Sequence, residues 1–159
     1  MGYRLRCVSG PCIRADITRA AFAGVPVAVI ERLGAQFAAS IIPRLVRAQA
    51  RDAIRWHLAR GDRVVVVSAS LDVYLERWCE AHGVEVICTR LEAHQGKLTG
   101  RYLGGDCSGA VKRERILSRY RISDYRYVHA YGDTDEDRPM LDLADRRYLC
   151  WRAVDPLSS

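Results

Sequence analysis

Six consecutive residues, Gly132-Asp133-Thr134-Asp135-Glu136-Asp137, hold the sharpest chemistry in the chain. They follow an apolar run ending at Tyr131, and open α/β sheets bind their ligands at that end of a strand. Asp133 and Asp137 stand four positions apart, so a loop turning into a helix can aim both carboxylates at one ion. Such oxygen ligands suit a hard cation such as magnesium (Mg2+), with waters and substrate oxygens completing the shell. The same acids could instead only complement the dipole of the helix they open. A calcium hand is a poor fit, because Arg138 replaces its glycine and Ala144 its closing glutamate.

Two other places carry groups of matching chemistry. Ser68-Ala69-Ser70 closes the run Val64–Val67, and a hydroxyl with open amides there can cradle a phosphate. Ser70 could equally cap the following helix. Lys112 falls in the first turn of a helix, after the glycine-rich stretch Gly104–Gly109. Ala110 stands where a nucleoside-triphosphate loop needs its lysine, so that motif is absent. Lys97 and Lys112 are the only lysines among arginines, which marks each for a site wanting a compact point charge.

The elements that must position these groups follow from periodicity. Arg44–Arg60 repeats apolar residues at helical spacing and stops at Gly61. Val64–Val67, β-branched without polar alternation, suits a strand covered on both faces of a parallel sheet. Leu71–His82 reads as a helix, Val84–Thr89 as a strand, and Gln95–Tyr102 as a small hairpin or extended excursion with two glycine turns. A helix over Ala110–Tyr120 is expected to turn Val111, Ile116, Leu117 and Tyr120 inward. Tyr125–Tyr131 gives a strand, Asp135–Asp142 a short helix and Tyr148–Trp151 a last strand. The first 43 residues read as helical, with Phe22, Val29, Leu33, Phe37 and Ile41 as the apolar positions and Pro26 opening a helix. Arg4–Val8 alternates, as an exposed edge would.

Composition sets the frame. With 159 residues, 49% hydrophobic and 28% charged, the chain is long enough for a core and is not a disordered or low-complexity sequence. The net charge of +6 is scattered, and no aromatic-basic motif accompanies it, so a solvated surface is expected rather than a nucleic-acid face. Six cysteines without a CxxC pair read as reduced, half-buried residues. Cys79, His82, Cys88 and His94 form a sparse zinc-like spacing, split between a helix and a strand. No stretch approaches the roughly 20 apolar residues of a membrane span, and no signal-peptide core is present; a cytoplasmic domain is expected.

Hydroxyl, cation and paired acids occur in that order in VVVVSASLDVYL, TRLEAHQGKLTGRYLGGDCSGAVK and YGDTDEDRPML. Together they resemble the second, third and fourth motifs of the haloacid dehalogenase-like (HAD) hydrolases, most closely the phosphoserine-phosphatase-like branch. The resemblance runs from Asp62 to Trp151 and more loosely back towards Ile17. It implies an α/β fold: a parallel Rossmann-like sheet with flanking helices, and a partial helical cap over residues 1–43 before a core over 44–159. It also implies magnesium-dependent hydrolysis of a small phosphomonoester through an aspartyl-phosphate. Ser68 and the Ala69 amide would bind a phosphoryl oxygen, Lys112 would neutralise charge, and Asp133 would ligate magnesium with support from Asp137.

The family's first motif, an apolar strand ending in Asp-x-Asp-Gly-Thr, is absent from this sequence; Asp16 has no such context. The expectation is a phosphatase chain lacking its nucleophile strand and inactive alone. The alternative is a noncatalytic module that binds a phosphorylated metabolite or a partner chain. Loss of a central strand would leave sheet edges uncovered, which could support a homodimer.

Overall fold

The computed structural model describes residues 10–154. The expected edge strand at Arg4–Val8 lies outside them. The described residues open with helices α1 (Gly10–Phe22), α2 (Val27–Ser40), α3 (Ile42–Leu45) and α4 (Ala48–Ala59). It continues through β1 (Val65–Leu71), α5 (Asp72–Ala81), β2 (Glu85–His94), β3 (Lys97–Leu103) and α6 (Ala110–Arg119). The last elements are β4 (His129–Gly132), α7 (Arg138–Leu141), β5 (Arg146–Leu149) and β6 (Arg152–Val154). The α/β expectation holds, with two three-stranded sheets among the described residues. In the first, β1 runs parallel to β2 and β2 antiparallel to β3; in the second, β4 runs parallel to β5 and β5 antiparallel to β6.

Several boundaries differ from the sequence reading. The helix expected over Arg44–Arg60 breaks at Val46 and Arg47, both extended. The expected last strand is a hairpin, because Cys150 and Trp151 take positive φ between β5 and β6. Strand β4 starts at His129, four residues after Tyr125. Of the apolar positions read from the sequence, Val29, Leu33 and Phe37 of α2 and Ile41 at its C-cap are exposed, while Ile30, Gly34 and Ala38 of α2 are buried. Size explains which face is buried. A Cβ on Gly34 would lie 2.1 Å from the Val73 carbonyl oxygen, so α2 packs backbone-close on α5 along its small residues. Likewise Leu117 of α6 is exposed, and the buried residue of that helix is Lys112.

Two apolar clusters stabilise the first sheet. One joins Ala38, Ile42, Leu75, Trp78, Cys79 and Val84, with Val64 and Val66 packed against it; the other joins Ile30, Leu91 and Leu98. Burial pushes the thiols of Cys79 and Cys88 up to about 12, so both stay protonated. Between the two sheets lies a cavity of about 1370 Å³, walled by Val64–Val67 on one side and Val128–Gly132 on the other. Every residue of β1 and β4 is only half-buried, and α4 contains no buried residue.

Candidate active site

Strand β1 carries its hydroxyl where the ladder breaks. Ser68 pairs with Cys88 but Leu71 pairs with Thr89, so Ala69 and Ser70 bulge out of register. The strand therefore runs past the Ser68-Ala69-Ser70 segment expected to end it. The Ser68 Oγ accepts the Ser70 N–H at 3.1 Å, which leaves its own O–H to donate outwards. At the end of β4, the chain leaves Gly132 into Asp133 and a 3-10 turn over Asp135–Asp137.

Lys112 reaches that turn from α6. It is 8% exposed, and its Nζ donates to the Oδ1 of Asp137, itself 7% exposed. The Asp137 Oδ2 accepts the backbone N–H of Asp133 at 2.8 Å and of Thr134 at 3.1 Å. One buried carboxylate thus ties the lysine to the loop after β4. Burial alone would raise this carboxyl, but the Lys112 hydrogen bond, the Asp133 amide, the Lys112 charge and the Thr134 amide outweigh it, and the group titrates below its ordinary value. Gly132 is required at the turn, because a Cβ there would meet the Asp137 Cβ at 2.6 Å.

Asp133 is differently placed. Its side chain is 45% exposed, and its Oδ1 accepts a hydrogen bond from Arg47 Nη1 at 2.8 Å. Both Asp137 oxygens are engaged by protein donors, so Asp133 is the carboxylate of the pair that faces solvent. Among the described residues, no cluster of three or more His, Cys, Asp or Glu side chains could hold a metal ion. A magnesium ion that draws most of its shell from water and phosphoryl oxygens needs only one or two carboxylates, and Asp133 fits that requirement.

Lys112, Asp133 and Asp137 therefore share one network and line the cavity, and Ser68 follows directly after the lining residue Val67. Among the described residues, no hydrogen bond joins Ser68 to the other three. The structure adds residues that spacing did not reveal. Arg47, from the break before α4, neutralises Asp133, and Arg14 of α1 donates to Asp106 at 2.7 Å and to Glu136 at 3.3 Å. The fully buried Thr89 accepts the Cys107 N–H at 3.0 Å and donates to Asp106, fixing the loop that precedes α6.

Among curated proteins, the chain is 31% identical over 137 residues to Protein CicA of Caulobacter vibrioides, which covers 85% of this chain and 61% of that one. It is 33% identical over 123 residues to a probable phosphatase of Mycobacterium tuberculosis, covering 76% of this chain and 42% of that protein. Among solved structures, a Bordetella pertussis protein of unknown function superposes with a TM-score of 0.76 at 23% identity, over 87% of this chain and 65% of that one. A substrate-bound phosphoserine phosphatase complex gives a TM-score of 0.61 at 20% identity, over 87% and 63% of the two chains; both likenesses are of fold. A sequence model of the haloacid dehalogenase-like hydrolases matches residues 8–142, and to that family this chain belongs.

Proposed function

We propose that the rim formed by Ser68, Lys112 and Asp133 is a magnesium-dependent phosphomonoester site. The observation that carries this reading is the buried ammonium of Lys112, tied by Asp137 to the loop that presents Asp133. Ser68 donates its hydroxyl to a phosphoryl oxygen, and the Ala69 amide in the bulge does the same. Lys112 supplies fixed positive charge beside the phosphoryl group, where a preorganised cation costs no reorganisation on binding. Asp133 would hold magnesium, which neutralises phosphoryl oxygens when bound. Asp137 acts through the loop and through Lys112, with both of its oxygens already occupied.

Hydrolysis through an aspartyl-phosphate requires an aspartate positioned for in-line attack. The sequence contains no Asp-x-Asp-Gly-Thr, Asp137 is held by Lys112, and Asp133 is paired with Arg47. The chain by itself is therefore expected to bind a small phosphorylated metabolite without turning it over. Calorimetric titration with inorganic phosphate in magnesium tests this. Ser68→Ala and Lys112→Gln should each weaken binding about tenfold, since a hydrogen bond to a charged group contributes about 1.5–3 kcal/mol. Unchanged affinity in both would sink the assignment, and robust p-nitrophenyl phosphate turnover that is lost in Asp133→Asn would disprove the absence of a nucleophile.

A further inference from the structure

We infer that Arg47 is a displaceable counter-ion of the metal carboxylate. It holds Asp133 while the rim is empty, yields it to a divalent cation, and then turns its guanidinium to the phosphoryl oxygens beside that cation. Cation and phosphate are therefore taken up together, each raising the affinity for the other. This deepens the phosphomonoester reading of the rim, on which it rests, by saying how that rim is regulated.

Both partners hang from backbone that is already pinned. Asp133 donates its N–H to Asp137 Oδ2 at 2.8 Å, and its carbonyl accepts the Cys150 thiol at 3.1 Å. Arg47 stands in the break before α4, where its carbonyl accepts the Arg51 N–H at 3.1 Å. The preceding Val46 carbonyl accepts Arg51 Nη1 at 3.2 Å. The loose parts are the side chains. Arg47 is 56% and Asp133 45% exposed, against 10% and 9% for the Asp137 and Asp106 carboxylates that Lys112 and Arg14 hold. Those two enclosed carboxylates fasten loops, whereas the Arg47–Asp133 pair is open to water on both sides. Changing partners there needs only the rotation of an exposed side chain, with no helix moving.

Charge then couples the two ligands. Lys112 cancels Asp137 and Arg47 cancels Asp133, so these four groups sum to zero in the empty rim. A divalent cation alone leaves the rim with excess positive charge, and a phosphate dianion alone with excess negative charge. Bound together they restore the balance, with Arg47 now free beside the anion. Its guanidinium presents several N–H donors in one plane, a fork that matches phosphoryl oxygens. Arg47 lines the same cavity as Lys112 and Asp133, so the new partner lies within the same enclosure. The hold on Asp133 is modest, as displacement requires: an exposed ion pair shifts an equilibrium by about two- to fivefold. That factor is what Arg47 subtracts from the affinity for the cation alone.

The test is calorimetric titration of the full chain with magnesium chloride at constant ionic strength, with and without saturating inorganic phosphate. In the unaltered chain phosphate should raise magnesium affinity about tenfold, and magnesium should raise phosphate affinity by the same factor. Arg47→Gln should bind magnesium alone about two- to fivefold more tightly, because its competitor is gone. The same variant should bind phosphate in saturating magnesium about threefold more weakly or worse, so the coupling shrinks. A merely structural arginine gives no rise in metal affinity. Arg47→Lys keeps the charge and should return magnesium affinity to within about twofold of the unaltered chain. Arg44→Gln removes an exposed charge from α3 and should move neither affinity by more than about twofold. The inference is overturned if Arg47→Gln leaves magnesium affinity unchanged or lowers it, or if Arg44→Gln reproduces its effect. Either result leaves the phosphomonoester reading standing as long as the unaltered chain binds both ions; a chain that binds neither overturns the two together.

Discussion

Replacing Lys112 with methionine tests whether the buried ammonium organises the rim or merely decorates it. Methionine retains most of the apolar stem and removes the charge, leaving the carboxylate of Asp137, with a side chain 10% exposed, without its cationic partner. Breaking a buried pair on one side costs about 3–5 kcal/mol. Asp137 keeps the amides of Asp133 and Thr134, so a smaller loss of about 2–3 kcal/mol is expected, at or below the bottom of that range. At about 2–4 °C per kcal/mol for a chain of this size, the melting temperature should fall by roughly 4–12 °C. The loss should also depend on pH with a definite sign. Asp137 is held below its ordinary value in part by Lys112, so without that partner it titrates higher than in the unaltered chain, and the stability that its low value contributes above the carboxylate range shrinks. The gap between Lys112→Met and the unaltered chain should therefore be full near pH 7 and narrow only as pH falls through the ordinary carboxyl range and below, as read by urea unfolding followed through tryptophan fluorescence. Adding Asp137→Asn should recover part of the loss, because no charge is then stranded. A loss below about 0.5 kcal/mol, the scale of an ordinary surface change, would refute the reasoning, as would a gap that ignores pH.

Three further outcomes follow from the same geometry. Gly34→Ala should destabilise by about 1–3 kcal/mol in chemical denaturation, since the new methyl group cannot coexist with the Val73 carbonyl unless α2 lifts from α5. Gly132→Ala should displace Asp137 and lower phosphate affinity in calorimetry, with the overall circular dichroism spectrum unchanged. Burial, with the adjacent His57, holds His129 below its ordinary value, so the unfolded chain takes up this proton first. That contribution to stability is complete above about pH 6.5 and is lost as pH falls towards the lower folded value; a melting curve series on His129→Gln should lack this slope.

The β1–α5–β2 unit is legible in the sequence because each signal is local: a run of valines, helical spacing and a glycine stop at Gly83. Lys112 is legible through composition, as one of two lysines among arginines. Other features resist reading for physical reasons. A spacing of four looks the same whether two carboxylates share an ion or one of them caps the loop carrying the other, and the second arrangement is what Asp137 does. The buried face of α2 is set by Gly34 and Ala38, whose smallness permits contact without any apolar signal. Arg14 and Arg47 act across 92 and 86 residues, a separation that periodicity does not encode. The final hairpin turns on Cys150 and Trp151, neither of which is a turn-forming residue.

The two apolar clusters both lie around the first sheet and the helices packed on it, whereas β4, β5, β6 and α7 belong to neither. Rigidity is consequently lopsided: the half that bears Asp133 is fastened through single polar rivets such as Lys112 to Asp137 and His57 to Tyr131, and not by a shared oily interior. Thermal breathing should start there, with its amides trading hydrogen for deuterium well before those of β2, so that a bound anion at the rim would act as a clasp on the looser half.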